Sequence, residues 1–300
     1  MITPPYLKKG DSIAIVAPAR SVTIEEMMPA INLFEEWGLN VVLGSNLFRS
    51  HNQFSGTEEE RTDDFQAMLD NETIKAIICA RGGYGVVRII DRLNFDRFVE
   101  HPKWIVGYSD ITIFHSHIHT CFEIETLHAT MPINVFANHN YDATESMHDV
   151  LFGKPISYQI PTDSQSRIGE GTGELIGGNI SILYSLSATV SDISTDGKIL
   201  FIEDLDEYLY HIDRMMLNLR RSGKLSNLAG LIVGGLTDMK DNTIPFGATA
   251  EEIILEAIEG TDYPVCFGFP AGHLDDNRGL IFGRKVTLTV SKNLSTVTFK

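Results

Sequence analysis

The sequence predicts an α/β protein of two domains, the first on a mostly parallel sheet and the second a smaller mixed α/β unit. Three observations carry this. The chain has 300 residues, more than one hydrophobic core usually holds. Its first half alternates strand-like apolar runs with helix-like stretches, the pattern of βαβ units on a parallel sheet. Near 151–168 the alternation breaks into a stretch containing Gly153, Pro155, Pro161, Ser164 and Ser166. The expected organisation is therefore a first domain over 1–150, a linker over 151–168 and a second domain over 169–300.

The elements justify themselves in order. Ser12 to Ala17 is a β-rich apolar run closed by Pro18. A helical stretch follows to Trp37 and stops at Gly38, with Pro29 pointing to a kink or a late start. Asn40 to Gly44 is the second strand. Thr57 and Glu60 spell a capping box, in which the threonine accepts the third amide and the glutamate reaches back. The helix it opens carries Phe65, Met68 and Leu69 at helical spacing. Ile74 to Ala80 and Trp104 to Gly107 are the third and fourth strands, and Val86 to Leu93 reads as a helix between them. Beyond the break, strands are expected near Gly173–Ile176, Lys198–Glu203, Leu231–Gly235 and Val265–Phe269. Helices are expected over Leu209–Ser222 and Ala248–Glu259, stopped by Gly223 and Gly260. Residues Lys285 to Lys300 alternate as a hairpin about Lys292 and Asn293.

Charge and cysteine usage exclude whole classes of function. A net charge of −16 with no cluster of Lys and Arg argues against a nucleic-acid partner, because displacing phosphate counterions needs such clusters. It also disfavours an anionic membrane surface, and no apolar run is long enough to span a bilayer. Lys8 and Lys9 before Ile13–Ala17 imitate a signal peptide, but the apolar run is too short and reads as a buried strand. Cys79, Cys121 and Cys266 are odd in number and far apart, which fits a reducing, cytoplasmic setting.

Four places carry residues suited to chemistry. Trp104-Ile105-Val106-Gly107-Tyr108-Ser109-Asp110-Ile111 is a buried strand, a glycine, a serine and the start of a helical pattern. A serine there points its hydroxyl into the crevice at the strand's carboxyl end, and the next amide suits an oxyanion. The plainer reading is a serine that caps the helix. The G-x-S-x-G signature is absent, since Ile111 stands at its second glycine. Arg81-Gly82-Gly83-Tyr84-Gly85 follows the third strand and suits either an anion cradle or a simple tight turn. It is no dinucleotide fingerprint, because Arg88 occupies the third glycine position. Glu203 closes a strand and is placed to orient an imidazole, or belongs to a solvated acidic loop with Asp204, Asp206 and Glu207. His273 follows another strand. Three such residues at three strand ends, in the order Ser, Glu, His, suggest a hydrolytic triad brought together by folding. The competing cluster His115, His117, His119 and His128 lacks H-E-x-x-H spacing, and no metal site is expected.

Taken together, these blocks resemble the LD-carboxypeptidases, serine peptidases that include the microcin-immunity peptidases. The matching residues are Phe54-Ser55-Gly56-Thr57 with Arg61, Arg81 to Gly85, Gly107 to Thr112, Gly177-Gly178-Asn179, Ile202-Glu203-Asp204 with Tyr210, Asp213 and Arg214, and Gly272-His273. The resemblance spans nearly the whole chain in order. It implies a flavodoxin-like N-terminal domain joined to a smaller mixed α/β domain, with Ser109 as nucleophile, Glu203 as triad carboxylate and His273 as base. The amides of Asp110 and Gly83 would form the oxyanion hole. It further implies a cytoplasmic homodimer that uses no cofactor and releases D-alanine from muropeptides by cutting an L-to-D amide. The rival substrate within the family is a peptidyl nucleotide analogue, and the rival outside it is a non-catalytic module that binds an anion. A carboxypeptidase also needs a cation for the terminal carboxylate. Arg214 is a candidate, with an ion pair to a neighbour such as Glu207 as the alternative.

Overall fold

Short β-branched runs separated by glycine and helix caps assemble into two sheets in the computed structural model, which describes residues 1–136 and 141–300. The first sheet collects β1 (Ser12–Val16), β2 (Asn40–Leu43), β3 (Ile74–Cys79), β4 (Trp104–Gly107) and β5 (Thr126–His128). These five run parallel in the order 2-1-3-4-5, the flavodoxin-like arrangement, and β11 (Leu280–Phe282) adds an antiparallel edge to β5. That order reverses direction between β1 and β3, so a crevice opens above their carboxyl ends. The helices of this half are α1 (Ile24–Glu36), α2 (Glu58–Asp70), α3 (Asp96–Glu100), α4 (Thr112–Phe122) and α5 (Tyr141–Leu151).

The second sheet orders its strands β10-β9-β8-β7-β12-β13-β6. Here β7 (Gly169–Asn179), β8 (Ile199–Leu205), β9 (Gly230–Thr237) and β10 (Val265–Cys266) are parallel. The remaining strands, β6 (Ser157–Pro161), β12 (Lys285–Val290) and β13 (Leu294–Phe299), continue it antiparallel. Beside it lie α6 (Ile180–Ser185), α7 (Leu209–Arg221) and α8 (Ala250–Ala257).

The caps explain several boundaries. Thr57 and Glu60 form the expected capping box at α2, and Thr23 with Glu26 and Thr249 with Glu252 repeat it at α1 and α8. Pro29 stands inside α1, which begins at Ile24 and runs through it. The expected helix over Val86–Leu93 is instead two 3₁₀ turns, Val86–Arg88 and Ile90–Arg92. Gly85 offers no side-chain cap there, and Val86, Val87, Ile89 and Ile90 are poor helix formers. The segment expected as linker contains β6, which pairs with β13.

One hydrophobic cluster runs from Ile15 and Trp104 in the first sheet to Phe201 and Leu288 in the second. With β11 crossing between the halves, the two sheets are held as walls of one body. Close packing of this kind is stiff. No helix of the described residues is long and apolar enough to cross a membrane.

Candidate active site

At the end of β4 the chain turns sharply. Ser109 has φ 64°, a left-handed conformation that costs a non-glycine residue energy and recurs at functional turns. It opens a 3₁₀ turn, Ser109–Ile111, that leads into α4, and its hydroxyl caps no helix. Instead Ser109 Oγ lies 3.2 Å from His273 Nε2. His273 Nδ1 in turn donates to Glu203 Oε2 at 2.6 Å. The three residues singled out from sequence therefore meet in one hydrogen-bonded line.

Each is held from behind. Glu203 is fully buried on β8, where the pairing with β9 slips between Ile202 and Asp204. The extra residue lies on β9, where Gly234 and Gly235 together oppose Glu203, while Glu203 keeps its register with Asn179 of β7 on the other side. Glu203 Oε2 also accepts the His273 backbone N–H at 3.2 Å. Gly272 is the residue that permits this approach: its φ is 100°, and a Cβ would fall 2.7 Å from Glu203 Cβ, Cγ and Oε2. The Gly272 N–H donates to Asn277 Oδ1 at 2.8 Å, and Thr237 Oγ1 donates to the His273 carbonyl at 2.7 Å. Tyr108 sets its ring edgewise on the imidazole, 5.0 Å between centroids.

The two halves dock beside the serine. The Asn179 N–H donates to Thr112 Oγ1 at 3.1 Å, and a Cβ on Gly178 would fall 2.4 Å from the same oxygen. Glycine at 178 thus lets the start of α4 press against the end of β7, which carries Ser109 toward His273. Asn179 also caps α6 and donates to Asp204 Oδ1 at 2.9 Å.

The glycine loop is fastened to the same turn. Asp110 Oδ2 accepts the Val86 N–H at 2.8 Å. Arg61, buried on α2, donates to the carbonyls of Pro18 at 2.6 Å and Gly85 at 2.9 Å and stacks on Phe54. A Cβ on Gly82 would fall 2.9 Å from Ser109 Cβ, so the loop backbone lies directly against the serine.

Beside this turn lies a cleft of about 480 Å³, whose walls include Ser109, His273, Gly83 and Asp110. Its electrostatics follow from burial. Burial opposes the charged form of His273, but the charge and hydrogen bond of Glu203 outweigh it and leave the imidazole pKa raised. Burial pushes the Asp110 carboxyl up to about 6, against the amides and Arg61 that favour its ionised form. Burial, and then the charge of Glu203, push Asp204 up to about 7. Chemically, a buried carboxylate that fixes an imidazole tautomer, with a serine hydroxyl on the other nitrogen, can draw the hydroxyl proton and make the oxygen nucleophilic.

The four histidines of the competing cluster have partners within the fold. His115 donates from Nε2 to the Gly107 carbonyl at 2.8 Å and accepts from Thr126 at Nδ1, and burial lowers its pKa to about 4. His117 bonds Ser191, and His119 meets Lys198. His128 is packed between Tyr108, Phe201 and Phe282. Among the described residues no group of three His, Cys, Asp or Glu is arranged to hold a metal ion. Arg214 lies over the Tyr210 ring at 5.3 Å and is not among the residues lining the cleft. Among the described residues, the arginines that line it are Arg20 and Arg81, and no lysine does. Sequence reasoning missed Arg20, Thr237 and Asn277, which are isolated loop or strand-end residues without local signature.

Comparison with known proteins gives a consistent picture. The family model for the LD-carboxypeptidase N-terminal domain matches residues 13–129, and that for the C-terminal domain matches 172–288. A probable murein peptide carboxypeptidase of Bacillus subtilis is 32% identical, covering 98% of this chain and 93% of that protein. The microcin C7 self-immunity protein of Escherichia coli is 25% identical over 96% of this chain and 94% of its own length. In fold, the chain is similar to the crystal structure of a muramoyltetrapeptide carboxypeptidase from Oxalobacter formigenes. The TM-score is 0.86 at 24% identity, over 96% of this chain and 98% of that one.

Proposed function

We propose, on the premise that this chain belongs to the LD-carboxypeptidase family, that it is a serine carboxypeptidase releasing terminal D-alanine from murein tetrapeptides. The observation that carries this reading is the line Ser109–His273–Glu203 at the wall of an open cleft. His273 takes the Ser109 proton at Nε2 as Oγ attacks the carbonyl of the third residue. The amides of Gly83 and Asp110 receive the oxyanion. His273 then passes its proton to the departing D-alanine nitrogen, and Glu203 holds the tautomer and balances the imidazolium. Water repeats the sequence on the acyl-enzyme. The cytoplasm as its location and a homodimer as its assembly belong to the same proposal.

The substrate of the microcin-immunity relatives is the second reading, and a nucleotide base asks for an aromatic platform. The chain's two tryptophans lie elsewhere, Trp104 buried in β4 and Trp37 against Phe34, His148 and Phe152. That favours the muropeptide. Incubation of the purified protein with murein tetrapeptide, read by mass spectrometry, is expected to yield tripeptide and D-alanine, and Ser109→Ala is expected to abolish both. An intact tetrapeptide after prolonged incubation, with turnover of a peptidyl nucleotide analogue instead, would transfer the assignment to the second reading.

A further inference from the structure

We infer that Arg20 and Arg81 form the clamp for the substrate's terminal carboxylate, and so make the enzyme an exopeptidase. The inference rests on the proposed reaction and goes further by assigning a binding role to two side chains outside the Ser–His–Glu line.

The argument begins with charge. The chain carries a net charge of −16, with 40 Asp and Glu against 24 Lys and Arg. Arg49, Arg88, Arg92, Arg97, Arg278 and Arg284 pair with a carboxylate, whereas Arg61, Arg167 and Arg220 reach backbone carbonyls and Arg214 lies over Tyr210. Arg20 and Arg81 also have no carboxylate within ion-pair distance among the described residues, and they differ from the other unpaired arginines in lining the cleft that holds Ser109. Among the described residues, the one polar contact of the Arg81 guanidinium is a long one, 3.5 Å to the Ser21 carbonyl. The Arg20 backbone N–H donates to the Gly82 carbonyl at 3.4 Å, and its side chain lies across Gly83, where a Cβ would fall 2.5 Å from Arg20 Cδ. The stem of Arg20 is thus laid along the loop that carries Arg81.

Position supplies the second part. The carboxylate of a C-terminal residue sits on the carbon bonded to the scissile nitrogen, so its binding group must stand within one residue of the nucleophile. Arg81 immediately precedes Gly82, whose backbone is in contact with Ser109. Asp206 and Glu207 also line the cleft and offer a carboxylate no donor. Lys240 is already paired with Asp206 at 2.5 Å. A guanidinium suits the task because its planar fork matches two carboxylate oxygens, and the low dielectric of a cleft strengthens each bond.

The test compares murein tetrapeptide ending in D-alanine with the same peptide ending in D-alaninamide. The full-length protein is used, with Arg20→Gln, Arg81→Gln, the double variant and Arg81→Lys. The wild type is expected to prefer the acid. Each Gln variant should lower kcat/KM for the acid by about 10- to 100-fold while changing the amide little, and Arg81→Lys should restore part of the preference. Parallel losses on acid and amide would mean that the arginines only brace the loop, and would overturn the inference, as would no loss on either. Calorimetric binding of both peptides to Ser109→Ala repeats the comparison without turnover. An acid preference there that vanishes in the Arg81→Gln background supports the clamp even if the wild type releases no D-alanine. Equal binding of acid and amide overturns the clamp while leaving a cleaving enzyme's assignment intact.

Discussion

Glu203→Gln tests what the buried carboxylate does, because it keeps the side chain's shape and length while removing its charge and one acceptor oxygen. Glu203 contacts His273 at 2.6 Å from a fully buried position, so the charge centres lie about 4 Å apart. With an effective dielectric near 20, imidazolium stabilisation amounts to about 4 kcal/mol, or a factor of about 10³ in kcat. Disturbing the tautomer adds to this, and the expected fall is about 10³–10⁴. The pH profile should move as well. Glu203 raises the His273 pKa above the ordinary imidazole value of 6.5. A general base must be neutral, so wild-type kcat/KM should drop as pH falls through that raised pKa, with its acid limb above 6.5. Removing the charge lowers the pKa, shifts the limb to lower pH and narrows the deficit of the variant in acid. The assay is D-alanine release across the pH range, with melting temperature as the control for folding. A loss of less than about tenfold, or an acid limb that stays in place, would refute the assignment of Glu203 as the orienting carboxylate.

Three further outcomes follow from the same geometry. Ser109→Ala and His273→Ala should each lower kcat by about 10⁴–10⁶ and the double variant by little more, since the pair acts as a unit; multiplicative losses would count against a shared role. Gly272→Ala places a methyl group 2.7 Å from three Glu203 atoms at a φ of 100°, and should lower kcat by about 100-fold through displacement of Glu203. Wild-type turnover in that variant would mean that the contact is not needed. Asp110→Ala removes the acceptor of the Val86 amide and the anion facing buried Arg61. It should cost about 1–3 kcal/mol in denaturant unfolding, and Asp110→Asn, which keeps an acceptor, should recover part; an unchanged unfolding midpoint would remove the tether.

Much of this molecule was readable without coordinates because the signals are local. The apolar runs of β1, β3 and β4, the Thr57–Glu60 box and the glycine stops after α7 and α8 depend on residues within a turn or two of each other. Local signals also mislead locally. The run from Val86 to Leu93 has helical spacing, yet β-branched side chains and an uncapped glycine start leave only 3₁₀ turns. Ser109 had the sequence setting of a cap, and its left-handed backbone turned the hydroxyl to an imidazole 164 residues away.

What the sequence by itself determined is the inventory: the secondary elements, the parallel character of the first sheet, and the residue types able to carry hydrolysis at three strand ends. Only the tertiary structure decided that those ends coincide. That coincidence depends on the 2-1-3-4-5 strand order, the bulge in β9 opposite Glu203, and the contact of Thr112 with Gly178. It also decided which arginines face the cleft, setting Arg214 on Tyr210 and Arg20 beside Arg81. The physical reason is range. Propensity and capping act between near neighbours, whereas a site is assembled by close packing between segments whose separation along the chain carries no record of their contact.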